Sequence, residues 1–242
     1  MNNDMIQSVF ARVAHPIPED EDRVPAFLDQ ISELIFQNFI LHIGYETYRF
    51  SEIEYYINSY FHEDPFTHQD PRQTDPGKWY VHESGMDITF GVGNIYASIL
   101  IRGIMEESTN GFISGPLKVM KKVFTALNSI DNKNHEFFIE YKENIEETSW
   151  IKHKRIGLNK ETEYKYCHEK NLDVDENDLF IDKQYRHISW LMPYHSFRNK
   201  LRILEDELIS EADPDVIQKA FSYTPKFLKE FLEKQKKHEQ SD

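Results

Sequence analysis

The chain has 242 residues, which is enough for one or two domains with a substantial hydrophobic core. Apolar residues make up 39 % of the sequence and aromatic residues 14 %, which excludes an intrinsically disordered chain. Acidic residues outnumber basic residues 42 to 28, a net charge of −14. The average field of the protein therefore repels phosphate, and nucleic-acid binding would require a local basic patch.

The compartment is predicted from three further features of the composition. The single cysteine, Cys167, excludes an internal disulfide and favours a reducing compartment. The polar N-terminal sequence lacks the apolar segment of a signal peptide. No apolar run approaches the roughly 18 residues of a membrane span. The sequence therefore predicts a cytoplasmic protein that has no membrane partner.

The first predicted elements are a lead-in and a helix. Residues 1–22 form an acidic, proline-containing lead-in, because Pro16 and Pro18 interrupt regular structure. Beyond it, apolar residues recur at spacings of three and four, and Pro25 suits a first helical turn. This pattern predicts a helix from about Val24 to Asn38.

The next predicted element is a β-hairpin around Gly44. Residues 39–43 and 48–56 are rich in β-branched and aromatic side chains, which favour strands. Because side chains alternate along a strand, Glu52, Glu54 and Tyr56 lie on one face of the second strand. That face carries polar groups, and the other carries only apolar or aromatic ones.

The rest of the chain is predicted to mix strands and helices. The expected elements, in chain order, are a long loop at 58–78, strands at 78–82, 87–90 and 95–102, a helix from Leu117 to Leu127, a charged segment of ambiguous structure at 130–149, a short strand at 150–158, an acidic loop at 169–182, a last strand at 185–192, and amphipathic helices at 197–209 and 215–236. No repeat or clean linker interrupts this series. It predicts one α+β domain over residues 23–242, with a mostly antiparallel sheet surrounded by helices, including C-terminal helices at about 196–236.

Polar and aromatic residues are concentrated between positions 52 and 102 and belong to a series of short motifs. The motifs are Glu52-Ile53-Glu54-Tyr55-Tyr56, Asp64-Pro65-Phe66-Thr67-His68, Gly77-Lys78-Trp79-Tyr80-Val81-His82, Ser98-Ile99-Leu100-Ile101-Arg102 and Ser114-Gly115-Pro116-Leu117-Lys118. Their order and spacing resemble those of the alkyladenine (3-methyladenine) DNA glycosylase family over about residues 39–124. The resemblance implies that family's curved antiparallel sheet.

The resemblance also implies an activity. It predicts a monofunctional DNA N-glycosylase of base excision repair, a hydrolase that removes an alkylated or deaminated purine with water as the nucleophile. It implies no metal, no cofactor and no covalent enzyme intermediate. Glu54 matches the general base of the family, and Arg102 matches the residue that helps to hold the water and the neighbouring phosphate. A carboxylate suits this chemistry because positive charge develops on the sugar as the base leaves.

The implied partner is damaged double-stranded DNA, bound by a monomer. A base is held outside the stack between aromatic faces, and the resemblance assigns this pocket to Tyr56, His68, Tyr80 and His82, with a hydrogen bond from the backbone around His68. The basic residues that could form a local phosphate-binding surface are Lys118, Lys121, Lys122, Lys152, Lys154 and Arg155.

Three positions depart from the family pattern. His82 stands where the family has a tyrosine, and residues 83–86 form a shorter, acidic hairpin in place of an apolar wedge. Gly91 stands where the family has a polar residue that contacts the purine, which predicts a different base selectivity.

Other interpretations of these residues remain open. Arg102 is equally consistent with a structural ion pair to Glu52 or Glu54. The whole scaffold could serve as a non-catalytic binding protein, as the acidic surface would favour. A third hypothesis is a metal-dependent hydrolase that uses a cluster of His62, His68 and His82, since imidazole is a good ligand for divalent ions.

Overall fold

A ten-stranded antiparallel sheet, curled into a half-barrel, forms the centre of the computed structural model, which describes residues 17–126, 137–143, 148–176, 178–210 and 212–239. The strands are β1 (Phe39–Ile43), β2 (Glu46–Ser59), β3 (His62–Glu63), β4 (Trp79–His82), β5 (Gly85–Thr89), β6 (Tyr96–Glu106), β7 (Phe112–Ser114), β8 (Phe137–Tyr141), β9 (Trp150–His153) and β10 (Arg186–Ser189).

Helices surround this sheet. Within the described ranges they are α1 (Val24–Asn38), α2 (Pro116–Thr125), α3 (Lys160–Lys170), α4 (Lys200–Ile209), α5 (Pro214–Lys219) and α6 (Lys226–Glu239). The prediction of an α+β fold with a curved, mostly antiparallel sheet surrounded by helices is confirmed. No helix in the described ranges combines the length and the apolar character needed to cross a bilayer.

The long strand β2 organises the sheet. The main strand order is β4-β5-β6-β2-β1-β8, so β2 lies between β1 and β6. Beyond the end of β1, strand β10 takes its place beside β2, with Arg186 opposite Glu54, and β9 follows on the other side of β10. Successive side chains of β2 point to opposite faces of the sheet, one set towards α1 and the other away from it, and nearly all of both sets are buried.

Two hydrophobic clusters hold the fold together. The larger one lies between α1 and the sheet and includes Ile31 and Ile35 of the helix and Ile53 and Ile57 of β2. The smaller one joins the C-terminal helices to the β9–β10 edge of the sheet through Ile188 and its neighbours. Apolar stripes on α1 and α2 contribute to the larger cluster, and those on α4, α5 and α6 contribute to the smaller one.

Two β-bulges interrupt the pairing of β2 with β6. Phe50 pairs with Ile104, Glu52 with Gly103, and Ile53 with Ile101, so Ser51 and Arg102 are each left as an extra residue. Gly103 is required here, because a Cβ atom on it would lie 2.7 Å from Ser51 Oγ and 3.0 Å from Glu52 Cβ. Bulges of this kind reorient a side chain, and here the side chain is that of Arg102.

The structure corrects several predicted elements. β2 continues to Ser59, into the predicted loop, and the strand predicted at 150–158 ends at His153. The predicted helix at 215–236 is two helices, α5 and α6, separated at Pro225. Helix α3 was not predicted, because its sequence KETEYKYCHEK has no apolar stripe. The ambiguous segment 130–149 contains β8, while 130–136 and 144–147 lie outside the described residues, as do Leu127 and residues 1–16 of the lead-in.

Candidate functional site

A pocket opens on the face of the sheet opposite α1, with a volume of about 180 Å³. Side chains of β2, β4, β5 and β6 line it, and so do the start of α2 and the turn at 156–158. Cavities of about 150 Å³ hold one benzene ring. The pocket is therefore of the size that admits a single planar ring system.

A buried network of four charged side chains adjoins the pocket. Arg102 donates from Nε to Glu52 Oε1 at 2.7 Å and from Nη1 to Glu54 Oε2 at 3.1 Å. Arg186 donates from Nε to the same Glu52 oxygen at 2.7 Å. The predicted pair of Glu54 and Arg102 is thus brought together. The two side chains form an ion pair, which the structural interpretation of Arg102 also predicted. Of these four residues, Arg102 lines the pocket.

Glu54 lies behind the pocket lining and is fully buried. Its Oε1 accepts the Ile156 N–H at 2.8 Å, and its Oε2 accepts the Tyr56 hydroxyl at 3.0 Å in addition to Arg102. Burial raises the pKa of Glu54, and the charge of Arg102 opposes that rise. Among the described residues, Oε1 accepts this one hydrogen bond, so it retains one lone pair for a further donor.

Glu52 and Glu54 occupy the same face of β2, yet their pKa values shift in opposite directions. Although burial works against it, the charges of Arg186 and Arg102 lower the pKa of Glu52. For Glu54, burial outweighs the charges of the same two arginines, and its pKa is raised. Two carboxylates whose environments separate their pKa values are a common feature of sites with acid–base chemistry.

Three of the four predicted base-pocket residues line the pocket: Tyr56, His68 and His82. The rings of His68 and His82 meet edge to face, with centroids 4.7 Å apart. Tyr80 instead lies buried behind them, and its hydroxyl is 2.9 Å from His68 Nδ1. Partial burial lowers the pKa of His68, and the neighbouring His82 lowers it further.

The polar groups on the pocket floor were not predicted as site residues. Asp87 is buried, lines the pocket, and accepts hydrogen bonds from Ser98 Oγ at 2.7 Å and from His82 at 2.9 Å. Gln73 also lines the pocket and bonds Ser98. One signal was present in the sequence: Asp87 stands between Met86 and Ile88, which makes it a lone acid in an otherwise apolar strand.

Gly91 has a structural role at the position where the family pattern has a polar residue. A Cβ atom there would lie 2.1 Å from the Ile95 carbonyl oxygen and 2.3 Å from the Gln73 carbonyl oxygen. The backbone of the Gln73 segment therefore packs directly against this glycine, and no side chain fits between them.

The predicted basic residues do not form one free patch. Arg155 is fully buried, with its guanidinium 2.6 Å and 3.0 Å from the carboxylate oxygens of Asp64 and 4.7 Å from the Tyr56 ring centroid, so its assignment to a phosphate-binding surface is wrong. Three of the lysines contact acids: Lys122 contacts Glu46, Lys152 contacts Asp29, and Lys154 contacts Asp182.

Lys118 and Lys121 remain exposed on α2. Lys118 lines a shallow groove with Glu83 and Ser84, and this groove adjoins the pocket because Ser84 and Pro116 line both. The predicted phosphate contacts are therefore confined, at most, to the start of α2.

The histidines of the metal hypothesis lie in two different places. His62 is buried against Tyr185 and Phe180, whereas His68 and His82 line the pocket. Within the ranges that the structure describes, no three His, Cys, Asp or Glu side chains are arranged to hold a metal ion.

Comparison with known proteins gives a distant relative. No family model matches the chain. The uncharacterized protein L759 of Acanthamoeba polyphaga mimivirus is 24 % identical, and the match covers 54 % of this chain and 78 % of that protein. The name of the relative states no activity. Resemblance to the alkyladenine DNA glycosylase family therefore stays a prediction.

Proposed function

We propose that this pocket hydrolyses the N-glycosidic bond of a damaged purine that has been flipped out of double-stranded DNA. One observation carries the proposal: a buried carboxylate of raised pKa, Glu54, is bonded to Arg102 at the inner side of a ring-sized pocket with aromatic walls. A general base is most effective when its pKa lies near the working pH, and burial moves Glu54 in that direction.

The reaction needs water and these side chains alone. A water molecule bonded to Glu54 Oε1 gives its proton to the carboxylate, and its oxygen forms a bond to C1′ of the sugar. The C1′–N bond breaks, and its electron pair leaves with the base. The carboxylate also offsets the positive charge that develops on the sugar, while Arg102 keeps Glu54 ionised and in place.

DNA contact in this proposal is supported by the exposed Lys118 beside the pocket mouth. Because the protein carries a net charge of −14, duplex binding is expected to be weak, and the few phosphate contacts that α2 can make weaken further as salt rises. The assay therefore belongs at low ionic strength.

The test is single-turnover excision from duplex oligonucleotides that carry an alkylated adenine or hypoxanthine. Wild-type protein is expected to leave an abasic site, and Glu54→Gln is expected to lower the rate by about 10²- to 10⁴-fold. Glu140→Gln is the matched control, because Glu140 lies on β8 and bonds His42. Absence of product from the wild type, or an unchanged rate in Glu54→Gln, would contradict the proposal.

A non-catalytic binding role for the same pocket is the second candidate. The observation that favours it is that the two oxygens of Glu54 already accept three hydrogen bonds, from Ile156, Tyr56 and Arg102. It predicts that purines bind and that no lesion is excised.

A further inference from the structure

A chain of hydrogen bonds crosses the pocket floor, and a backbone amide fixes the direction of its first bonds. The Asp70 N–H donates to Gln73 Oε1 at 3.0 Å, so the other side-chain atom of Gln73 is the amide nitrogen, which donates to Ser98 Oγ at 2.8 Å. Since Ser98 Oγ accepts that bond, its proton goes to Asp87 Oδ2 at 2.7 Å.

A second backbone amide fixes the other end of the chain. The Ser84 N–H donates to His82 Nδ1 at 3.3 Å, so the ring proton of His82 is on Nε2, which donates to Asp87 Oδ1 at 2.9 Å. Both ring nitrogens of His82 are thereby occupied. A ligand meets this residue at its ring face and not at a nitrogen.

Two hydrogen-bonding capacities remain on the floor for a ligand. Each oxygen of Asp87 accepts one bond and keeps a second lone pair, and Gln73 Nε2 has a second N–H. The residues that the structure describes supply no partner for that N–H, and both side chains line the pocket. The floor therefore presents a carboxylate acceptor and an amide donor on either side of Ser98 Oγ.

This pair of groups distinguishes two kinds of purine edge. Along its N7–C6 edge, a 6-aminopurine presents the 6-N–H₂ donor beside the N7 acceptor, which complements Asp87 and Gln73. Along the same edge, a 6-oxopurine presents two acceptors, O6 and N7, and no donor, because its N1–H lies on the other side of the carbonyl. A carbonyl oxygen set against a carboxylate makes no hydrogen bond and is repelled, which leaves a buried polar group unpaired.

We propose that Asp87 is the specificity-determining residue of this pocket, and that by binding the N7–C6 edge of the base it selects purines with a 6-amino group and rejects 6-oxopurines. The inference rests on the proposed function in one respect, that the ligand is a purine. A site built to hydrogen-bond one substrate group discriminates strongly against an analogue without it, so the expected preference is at least about a hundredfold.

The test separates binding from catalysis. Adenine and hypoxanthine, each as the 9-methyl derivative so that N7 is an acceptor as it is in DNA, are titrated into the full-length protein and followed by calorimetry, and the same protein is assayed on duplexes that carry an alkylated adenine or hypoxanthine. The expected result is an adenine dissociation constant at least about a hundredfold lower than that of hypoxanthine, with the same preference in the excision rates.

Asp87→Asn tests the residue itself, because an asparagine amide can turn its N–H₂ towards a carbonyl oxygen. We expect this variant to lose the adenine preference or to reverse it. Asp75→Asn is the matched control, since Asp75 lies near the same strand with an exposed side chain that contacts Lys78. The wild-type comparison needs no variant, so equal binding of the two bases overturns the proposal even if Asp87→Asn does not fold.

The possible outcomes separate the two proposals. An adenine preference without excision supports the role of Asp87 and contradicts the hydrolase. Excision with equal rates for the two lesions, or equal binding of the two bases, overturns the role of Asp87 and leaves the hydrolase intact. If neither base binds and neither lesion is excised, both proposals fail.

Discussion

The two faces of strand β2 differ in chemistry although they share one backbone. Towards α1, the strand presents Ile53, Tyr55 and Ile57, which are fully buried among apolar side chains. Towards the pocket, it presents Glu52, Glu54 and Tyr56, in contact with two arginines. Both faces exclude water, but one does so by packing and the other by pairing charges.

This difference indicates where stability and function reside. Burial of apolar area contributes about 25 cal/mol per Å², so the α1 face stabilises the fold directly. A buried ion pair contributes little net stability relative to an apolar pair, because the cost of desolvation offsets the attraction. Selection for stability alone would not favour the charged face, and the pocket beside it supplies a reason to retain it.

Acidification should destabilise the fold at the apolar face of β2, and we expect it to lower the free energy of unfolding more than the other changes do. His187 lies on this face, where Nδ1 contacts Ser32 Oγ at 2.6 Å, and burial lowers its pKa from 6.5 to about 3. Between these two values the unfolded chain binds a proton that the folded protein does not. The contribution of neutral, buried His187 to stability is therefore present above pH 6.5. It is lost as the pH falls towards 3, by up to about 5 kcal/mol.

Urea unfolding at a series of pH values from 7 to 4 measures this loss. We expect His187→Gln to flatten the profile relative to the wild type, whereas the exposed His168→Gln should leave its slope unchanged. Equal slopes for wild type and His187→Gln would show that His187 is not the group responsible.

Removal of the Arg155 side chain, which lies beside the charged face, should lower the free energy of unfolding almost as much. Its guanidinium and the Asp64 carboxylate are both fully buried, so Arg155→Ala leaves a carboxylate without its partner. We expect a loss of about 4 kcal/mol in the free energy of unfolding. Lys154→Ala is the matched control, because Lys154 and Asp182 form an exposed pair, and it should cost at most about 0.5 kcal/mol. Similar losses in the two variants would refute the distinction between buried and exposed pairs.

The faces of β2 were largely predictable from the sequence, whereas the pocket was not. Apolar spacing predicted the position of α1, and alternation placed Glu52, Glu54 and Tyr56 together. The bulges that aim Arg102 depend on the register between β2 and β6, which side-chain alternation does not specify. The Asp87–Ser98–Gln73 chain joins three separate segments, and single polar residues in strands give no signal of which partners they will meet.

The two glutamates of β2 allow the sharpest test of the charged face, with the smallest expected effects. Glu52 has a lowered pKa because Arg186 and Arg102 outweigh its burial, so Glu52→Gln leaves two buried cations with less negative charge. We expect a loss of about 3 kcal/mol at pH 8. Glu54 has a raised pKa, which means that folding disfavours its charge. Glu54→Gln should therefore cost less than Glu52→Gln, about 1 kcal/mol, because its amide N–H₂ replaces an oxygen that accepts a hydrogen bond.

The pH dependence of the two variants should differ in sign. The stability that Glu52 contributes is present above pH 4.5 and lost as the pH falls below it, because its folded pKa is lowered. Glu54 acts in the opposite way: stability falls as the pH rises from 4.5 through its raised folded pKa. Subtracting each variant's urea-unfolding profile from that of the wild type isolates these slopes. If Glu54→Gln were the more damaging variant at pH 8, Glu54 would be a structural anchor of the network, and its proposed role as the general base would lose its physical basis.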